Sequence, residues 1–321
     1  MTATASPTKA TERRHDAYEA LLRRCQPIEP AVTAVAYPCE QSALAGAVEA
    51  AEANLIRPIL VGPPEKIREV AAAAGLNIDP YPIEAAPDSH TAATKAVELI
   101  RSARAEVLMK GSLHTDELMA AVVSSATGLR TSRRISHAFV MSVPTYPKPL
   151  IITDGAINIA PALDDKRDIC QNAIDLAHSL GSETPKVAIL SAVETVTTKI
   201  PSTIDAAALC KMAERGQITG AILDGPLAMD NAISLEAART KGIDSPVAGD
   251  ADILVAPDLE AGNILAKQLT FLANADAAGL VLGARVPIIL TSRADSVRAR
   301  MASCGVALLV ANARRSTRKE R

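Results

Sequence analysis

Tryptophan is absent from this chain of 321 residues, and aromatic residues of all kinds make up only 2% of it. The stacking platforms of single-strand nucleic-acid binders are therefore missing. Charge of one sign is missing too: 34 Lys+Arg face 36 Asp+Glu, a net charge of −2, so no long-range field gathers a polyanion. Five cysteines (Cys25, Cys39, Cys170, Cys210 and Cys304) lie far apart, odd in number and never as CxxC. That excludes a disulfide framework and a structural zinc site and fits a reducing compartment. No apolar run approaches the ~18 residues that span a bilayer, and the first ten residues carry no apolar signal core. The expectation is a soluble, cytoplasmic protein with no nucleic-acid and no membrane partner.

Several signatures are also lacking. No GxGxxG follows a strand candidate, which leaves a dinucleotide site unsupported. Lys110-Gly111-Ser112 lacks the upstream glycine of a P-loop, no GxSxG elbow occurs, and neither HExxH nor a close His/Cys set offers a metal site.

What is present is alternation. Hydrophobic residues make up 48% and charged residues 22%, enough for a large core, and the length suits two domains. Residues 1 to about 12 read as disordered, and a helix follows from Arg13 to Cys25. Strand candidates at 32–36, 57–61, 81–83 and 105–109 alternate with helices at 42–54, 65–74, 90–104 and 115–126, Gly75 ending the second of these. The rhythm changes at 136–143 and 149–153, two strand candidates joined by Pro144-Thr-Tyr-Pro-Lys148 and short enough for an antiparallel pair. It then resumes: strands at 187–190, 221–224 and 253–256, helices at 167–180, 205–215, 231–241 and 262–272. Two apolar runs around Gly279–Val286 and Ile288–Leu290, a short helix at 297–301 and the apolar run 305–311 complete the pattern. The basic end from Arg314 reads as solvated fraying.

This is the pattern of βαβ units: an α/β fold with mostly parallel sheets covered by helices. Residues 1–135 and 282–321 are expected to form one domain and 136–281 the second, with the active site in the cleft between them.

Polar clusters end successive strands, where ligands bind in open sheets. They are Lys110-Gly-Ser-Leu-His114-Thr115, Thr153-Asp154-Gly-Ala-Ile-Asn158, Asp224-Gly-Pro226 and Ser292-Arg293-Ala-Asp295. Each has a plainer reading. Lys110-Gly-Ser can be a turn before a helix cap, the Asp-Gly pairs are common turn dipeptides, and Ser292 or Asp295 can cap the helix near Val297. His114 and His137 divide evenly between structural and ligand roles. Arg130, Arg133, Arg134 and Arg293 offer planar forks for phosphate, although Arg133 and Arg134 are equally consistent with exposed charges.

As an ordered set, the motifs resemble the phosphate acetyltransferase/phosphate butyryltransferase family. The set comprises Pro38-Cys-Glu40, Ala47-Val-Glu-Ala-Ala-Glu-Ala53, Pro58-Ile-Leu-Val-Gly-Pro63, Leu108-Met-Lys-Gly111 with His114-Thr115, Thr153-Asp-Gly-Ala-Ile-Asn-Ile-Ala-Pro161, Asp224-Gly-Pro226, Pro257-Asp-Leu-Glu-Ala-Gly-Asn263 and Thr291-Ser-Arg293. The resemblance runs from about Val32 to Val310. It implies reversible acyl transfer between coenzyme A and phosphate, an isocitrate/isopropylmalate dehydrogenase-like fold, and a homodimer or higher homo-oligomer. It implies no bound cofactor, acyl-CoA and inorganic phosphate being the substrates. By the same resemblance Ser292 donates a hydrogen bond to the thioester oxyanion and Arg293 binds phosphate. Acetyltransferase members place a catalytic carboxylate about two helical turns further on, where this chain has Ala299. Asp295 is the nearest carboxylate to take the thiol proton. An arginine of the acetyltransferases is replaced by Met119, which leaves anion binding to Lys110, Arg133 or Arg134 and resembles the butyryltransferase side. Substrate binding is thus expected at Lys110, His114, Thr115, Arg133, Arg134, Asp154 and Asn158. Two other readings stay open: a protein that only binds CoA, and an acyl carrier protein:phosphate acyltransferase for long chains.

Overall fold

Short runs of Ala, Val, Ile and Leu bounded by Gly, Pro or Asn become strands that are apolar on both faces, as parallel sheets buried under helices require. The computed structural model describes residues 8–290 and 295–319. Two units divide it: Leu21–Ile135 with the chain from Ala278 onward, and Ser136–Ala277 with the chain up to Ala20.

The first unit contains the C-terminal part of α1 (Thr8–Cys25), followed by β1 (Ala31–Ala36), α2 (Gln41–Glu52), β2 (Ile56–Gly62), α3 (Pro64–Ala74), β3 (Ile83–Ala85), α4 (Ser89–Arg101), β4 (Val107–Lys110) and α5 (Thr115–Val123). The second unit follows with β5 (Ser136–Ser142), β6 (Leu150–Thr153), α6 (Leu163–Ser179), β7 (Lys186–Leu190), α7 (Pro201–Glu214), β8 (Ile222–Leu227), α8 (Met229–Ile233), α9 (Leu235–Thr240), β9 (Ile253–Val255) and α10 (Leu259–Leu272). The chain returns to the first unit through β10 (Asp276–Leu282), β11 (Ile288–Ile289) and α11 (Val297–Lys319).

In the first unit the strands run β3-β2-β1-β4-β11-β10, with every pair parallel except β10–β11. In the second they run β5-β6-β9-β7-β8, with only β5–β6 antiparallel, pairing Ala138 with Thr153 and Met141 with Leu150. Leu44, Leu60, Ile67, Leu108 and Met109 fill the first core; Met141, Ile152, Ala188, Leu227 and Leu254 fill the second. Among the described residues no helix is long and apolar enough to cross a membrane.

Several expectations need correction. The first helix begins at Thr8, not Arg13, so residues 8–12 are helical. The helix expected over 231–241 is two, because Ser234 takes an extended backbone and its hydroxyl accepts from the Ala237 amide, capping a new start. The short helix at 297–301 and the apolar run after it are one helix of 23 residues, α11. Within it the Gly305 carbonyl accepts from the Cys25 thiol at 3.5 Å, tying α11 to the end of α1. Nor does the basic end fray at Arg314 and Arg315. Arg315 donates through Nε to Glu106 at 2.8 Å and through its Nη atoms to the carbonyls of Glu29 and Pro30, while Arg314 reaches the carbonyl of Arg285 at 2.8 Å.

Candidate active site

Because β1, β4 and β11 are parallel neighbours, the segments leaving them emerge at one end of the first unit's sheet. Two of those segments are tied together. The Gly111 amide donates to the Ala36 carbonyl at 2.8 Å, and the Tyr37 carbonyl accepts from the amide of Ser112 (2.9 Å), the hydroxyl of Ser112 (2.7 Å) and the amide of Cys39 (2.9 Å). The Ser112 hydroxyl in turn accepts from the Cys39 amide at 3.0 Å. A Cβ on Gly111 would lie 2.4 Å from the Ala36 carbonyl oxygen, so only glycine permits this approach. Ser112 therefore braces Tyr37, and the turn it belongs to precedes α5.

Lys110 ends β4 in a buried position, its Nζ 3.4 Å from the Gly111 carbonyl oxygen. His114 and Thr115 follow on the same segment; both are exposed, His114 as the residue preceding α5 and Thr115 as its first residue. The chain leaves β11 at Leu290, at the same sheet end as Lys110, and continues at Asp295. Ser292 and Arg293 lie outside the described residues. The cap of α11 is Ser296, whose hydroxyl accepts from the Ala299 amide at 3.1 Å, in place of the Ser292 or Asp295 cap expected from spacing.

Arg300, which the sequence reading passed over, holds the exit of this segment. Its Nη1 donates to the Asp295 carbonyl at 2.7 Å, and its buried Nε has no hydrogen-bond partner. Gly46 of α2 makes room for it: a Cβ there would lie 3.0 Å from Nε. Glu49, one turn along α2, carries a buried Oε2 that also lacks a partner. The available signal was Gly46 itself, since glycine inside an Ala-rich helix costs about 1 kcal/mol and marks a close approach.

In the second unit the segment after β6 closes on itself. The Asp154 carboxylate accepts four hydrogen bonds, from the amides of Ala156 (2.8 Å), Ile157 (2.9 Å) and His137 (3.1 Å) and from Nδ2 of Asn158 (2.6 Å). Both Asp154 and Asn158 are buried. Asp154 and Asn158, expected at the substrate, frame this turn. Gly262 of α10 lets that turn pack, since a Cβ there would fall 2.2 Å from the Asp154 carbonyl oxygen, and Asn263 Nδ2 donates to the Gly155 carbonyl at 2.9 Å. His137 takes the structural role of its two: its ring sits 4.3 Å from that of Phe139, its Nδ1 is buried without a partner, and burial pulls its pKa to about 4 against the opposing charge of Asp154.

The remaining candidates stand apart. Arg133 and Arg134 are exposed ahead of β5, and the Arg133 amide donates to Thr131. Asp224-Gly-Pro226 does not follow β8 but lies inside it, at a register irregularity against β7 where a Cβ on Gly225 would meet Ile189 at 2.8 Å. An edge strand tolerates proline at such a point. Burial pushes the thiols up, Cys25 and Cys39 to about 11 and Cys170, Cys210 and Cys304 to about 12, which leaves no cysteine poised as a thiolate nucleophile. Among the described residues no group of three or more His, Cys, Asp or Glu could hold a metal ion.

The family described as phosphate acetyl/butaryl transferase matches residues 83–308. A phosphate acetyltransferase of Rhizobium meliloti is 67% identical over 299 residues, covering 93% of this chain and 95% of the relative. The chain belongs to this family. Within it, a phosphate butyryltransferase of Clostridium beijerinckii is 41% identical over 294 residues, covering 92% of this chain and 97% of the relative. The crystal structure of a branched-chain phosphotransacylase from Enterococcus faecalis V583 is 30% identical and superposes with a TM-score of 0.76, covering 87% of this chain and 99% of that one. The family match takes in both polar loops, Lys110–Thr115 and Asp154–Asn158, and the whole segment from Leu290 to Arg300.

Proposed function

We propose that this chain catalyses the family reaction, acyl-CoA + phosphate ⇌ acyl phosphate + CoA, on a short acyl group. The observation that carries this reading is the 67% identity to a phosphate acetyltransferase across 93% of the chain. A phosphate oxygen attacks the thioester carbon; the C–O bond forms, the C–S bond breaks, and CoA leaves as the thiolate or takes a proton. No atom changes oxidation state, and the thioester is already activated. The chemistry thus reduces to positioning two anionic reactants and stabilising one oxyanion.

In this reading Ser292 donates to the developing oxyanion and Arg293 grips phosphate through its planar fork. Asp295 exchanges the thiol proton, taking it from CoA when acyl phosphate is consumed and returning it in the reverse direction. The support for Asp295 is its main chain, held by Arg300, and its place two residues beyond Arg293. Lys110, at the end of β4, adds positive charge at the same sheet end. Asp154 and Asn158 act by fixing the turn they share, and His114, Thr115, Arg133 and Arg134 remain candidates for the phosphate groups of CoA. With this reading go the properties the family implies: an isocitrate/isopropylmalate dehydrogenase-like fold, a homodimer or higher homo-oligomer, and a cytoplasmic location.

The test is thiol release from acetyl-, propionyl- and butyryl-CoA with and without phosphate, in wild type and Ser292→Ala. Phosphate-dependent release that falls about 10²–10³-fold in the variant supports the reading and ranks the acyl chains. CoA binding with no release at any chain length would replace it with a protein that only binds CoA, for which Ala299 in the place of the carboxylate is the motivating observation.

A further inference from the structure

The opposite end of the first unit's sheet, where β1, β4 and β11 begin, holds a second cluster of charge. A cavity of about 320 Å³ lies there, lined by five arginines, Arg101, Arg104, Arg285, Arg314 and Arg315, and by one acidic residue, Glu106. The pieces come from separate parts of the chain: the end of α4, the residue before β4, the β10–β11 turn and the last turns of α11.

The carboxylate does not neutralise the group. Glu106 accepts from the Val32 amide at 3.2 Å and from Arg315 Nε at 2.8 Å, and Arg315 Nη2 donates to it as well. Burial raises its pKa, but the hydrogen bonds and charge of Arg315 outweigh that and hold it below the usual carboxylate range. Its one negative charge is therefore spent on Arg315. Arg104 is paired outside the cavity wall, with Glu84 at 2.6 Å. Among the described residues, Arg101 donates only to the Ala126 carbonyl, at 3.4 Å, and the Arg285 guanidinium has no partner.

Two features separate this cluster from solvated surface charge. Arg314 and Arg315 are pinned by main-chain carbonyls (those of Arg285, Glu29 and Pro30), so their forks are held in place before any ligand arrives. Moreover, basic residues in a last helical turn answer the helix dipole, which accounts for Arg101 but not for Arg285, on a hairpin turn. In a chain of net charge −2, gathering these groups around one cavity costs repulsion that an anion would relieve.

We infer that this cavity is a second anion site, binding a compact polyanion built of phosphate groups through Arg101 and Arg285, beside the carbonyl-held Arg314. Planar guanidinium forks match phosphate oxygens two at a time. The volume is at the lower end for ligand pockets, which fits a pyrophosphate-sized group and not a whole coenzyme. The inference is independent of the acyl-transfer reading, because it concerns the other end of the sheet and is read by binding.

The experiment is calorimetric titration of the full-length chain with inorganic pyrophosphate, repeated with inorganic phosphate to distinguish a diphosphate preference from a site for free phosphate. Wild type is compared with Arg285→Glu and Arg101→Ala, and the KM for phosphate is measured on all three. The expected result is pyrophosphate binding that weakens about tenfold or more in Arg285→Glu and less in Arg101→Ala, while the KM for phosphate moves less than about twofold. Equal pyrophosphate binding by all three proteins, or an Arg285→Glu effect that tracks an equal rise in the KM for phosphate, overturns the inference.

Discussion

Replacing Gly111 by alanine tests the close approach on which the candidate active site is built. The added methyl would sit 2.4 Å from the Ala36 carbonyl oxygen, 2.5 Å from the Tyr37 carbonyl oxygen and 2.7 Å from the Tyr37 carbonyl carbon. All three are main-chain atoms, so no rotamer change relieves the clash. Ordinary contact begins at 3.4 Å, and the nearest atom must therefore retreat by about 1 Å (3.4 − 2.4). A displacement of that size removes the four bonds among Ala36, Tyr37, Cys39, Gly111 and Ser112 that span 2.7–3.0 Å and cross between the two loops. At about 1 kcal/mol net for each bond the loss approaches 4 kcal/mol, offset by up to about 1 kcal/mol from the stiffer unfolded chain. The expected cost is about 3 kcal/mol, or a fall in Tm of roughly 6–12 °C for a unit of this size. The assay is thermal and urea unfolding beside Gly75→Ala. Gly75 has φ +66° and nothing within 4 Å of its missing Cβ, so that variant bears only about 1 kcal/mol of left-handed strain. Gly111→Ala should also lose acyl-transfer rate, because it displaces Lys110. Equal destabilisation by the two substitutions would mean that the loops do not depend on this close approach.

Two further predictions follow from buried polar groups. The His137 imidazole, at about 4 when folded against 6.5 ordinarily, stays neutral while the unfolded chain takes up a proton. Its contribution is therefore complete above about pH 6.5 and lost as pH falls toward 4, and Tm against pH should flatten over that window in His137→Gln. Arg300→Ala should lower kcat with little change in KM by releasing the Asp295 carbonyl, and Arg300→Lys should restore part of the rate if the donor to that carbonyl is what matters. Loss of fold in both variants, or equal rates in both, would contradict a positioning role.

Most of the architecture was legible because it rests on short-range chemistry. The runs Ala31–Ala36, Ile56–Gly62 and Val107–Lys110 are mostly apolar, interrupted only by Thr33, Arg57 and the terminal Lys110, so they read as buried parallel strands, and Gly75 ends its helix in the left-handed conformation as its type suggests. Misreadings arose where a single side chain decided the outcome from a distance. Ser234 divides a helix that periodicity alone would continue. Arg315 anchors an end of the chain to Glu106, 209 positions away, and no local pattern encodes that pairing. The candidate site divides the same way. Lys110, His114 and Thr115 gather at the expected sheet end because strand direction puts them there, whereas Asp154 and Asn158, equally conspicuous in sequence, are consumed by each other and by neighbouring amides. Arg300 was invisible until α2 and α11 were seen to meet across Gly46.

Phosphorus NMR of one enzyme sample approached from both sides follows the reversible exchange of an acyl group between sulfur and phosphate. Acetyl-CoA with inorganic phosphate should produce the acetyl phosphate resonance, acetyl phosphate with CoA should consume it, and both mixtures should reach one ratio. Hydrolysis of either substrate without formation of the other, or no change from either side, would contradict the account.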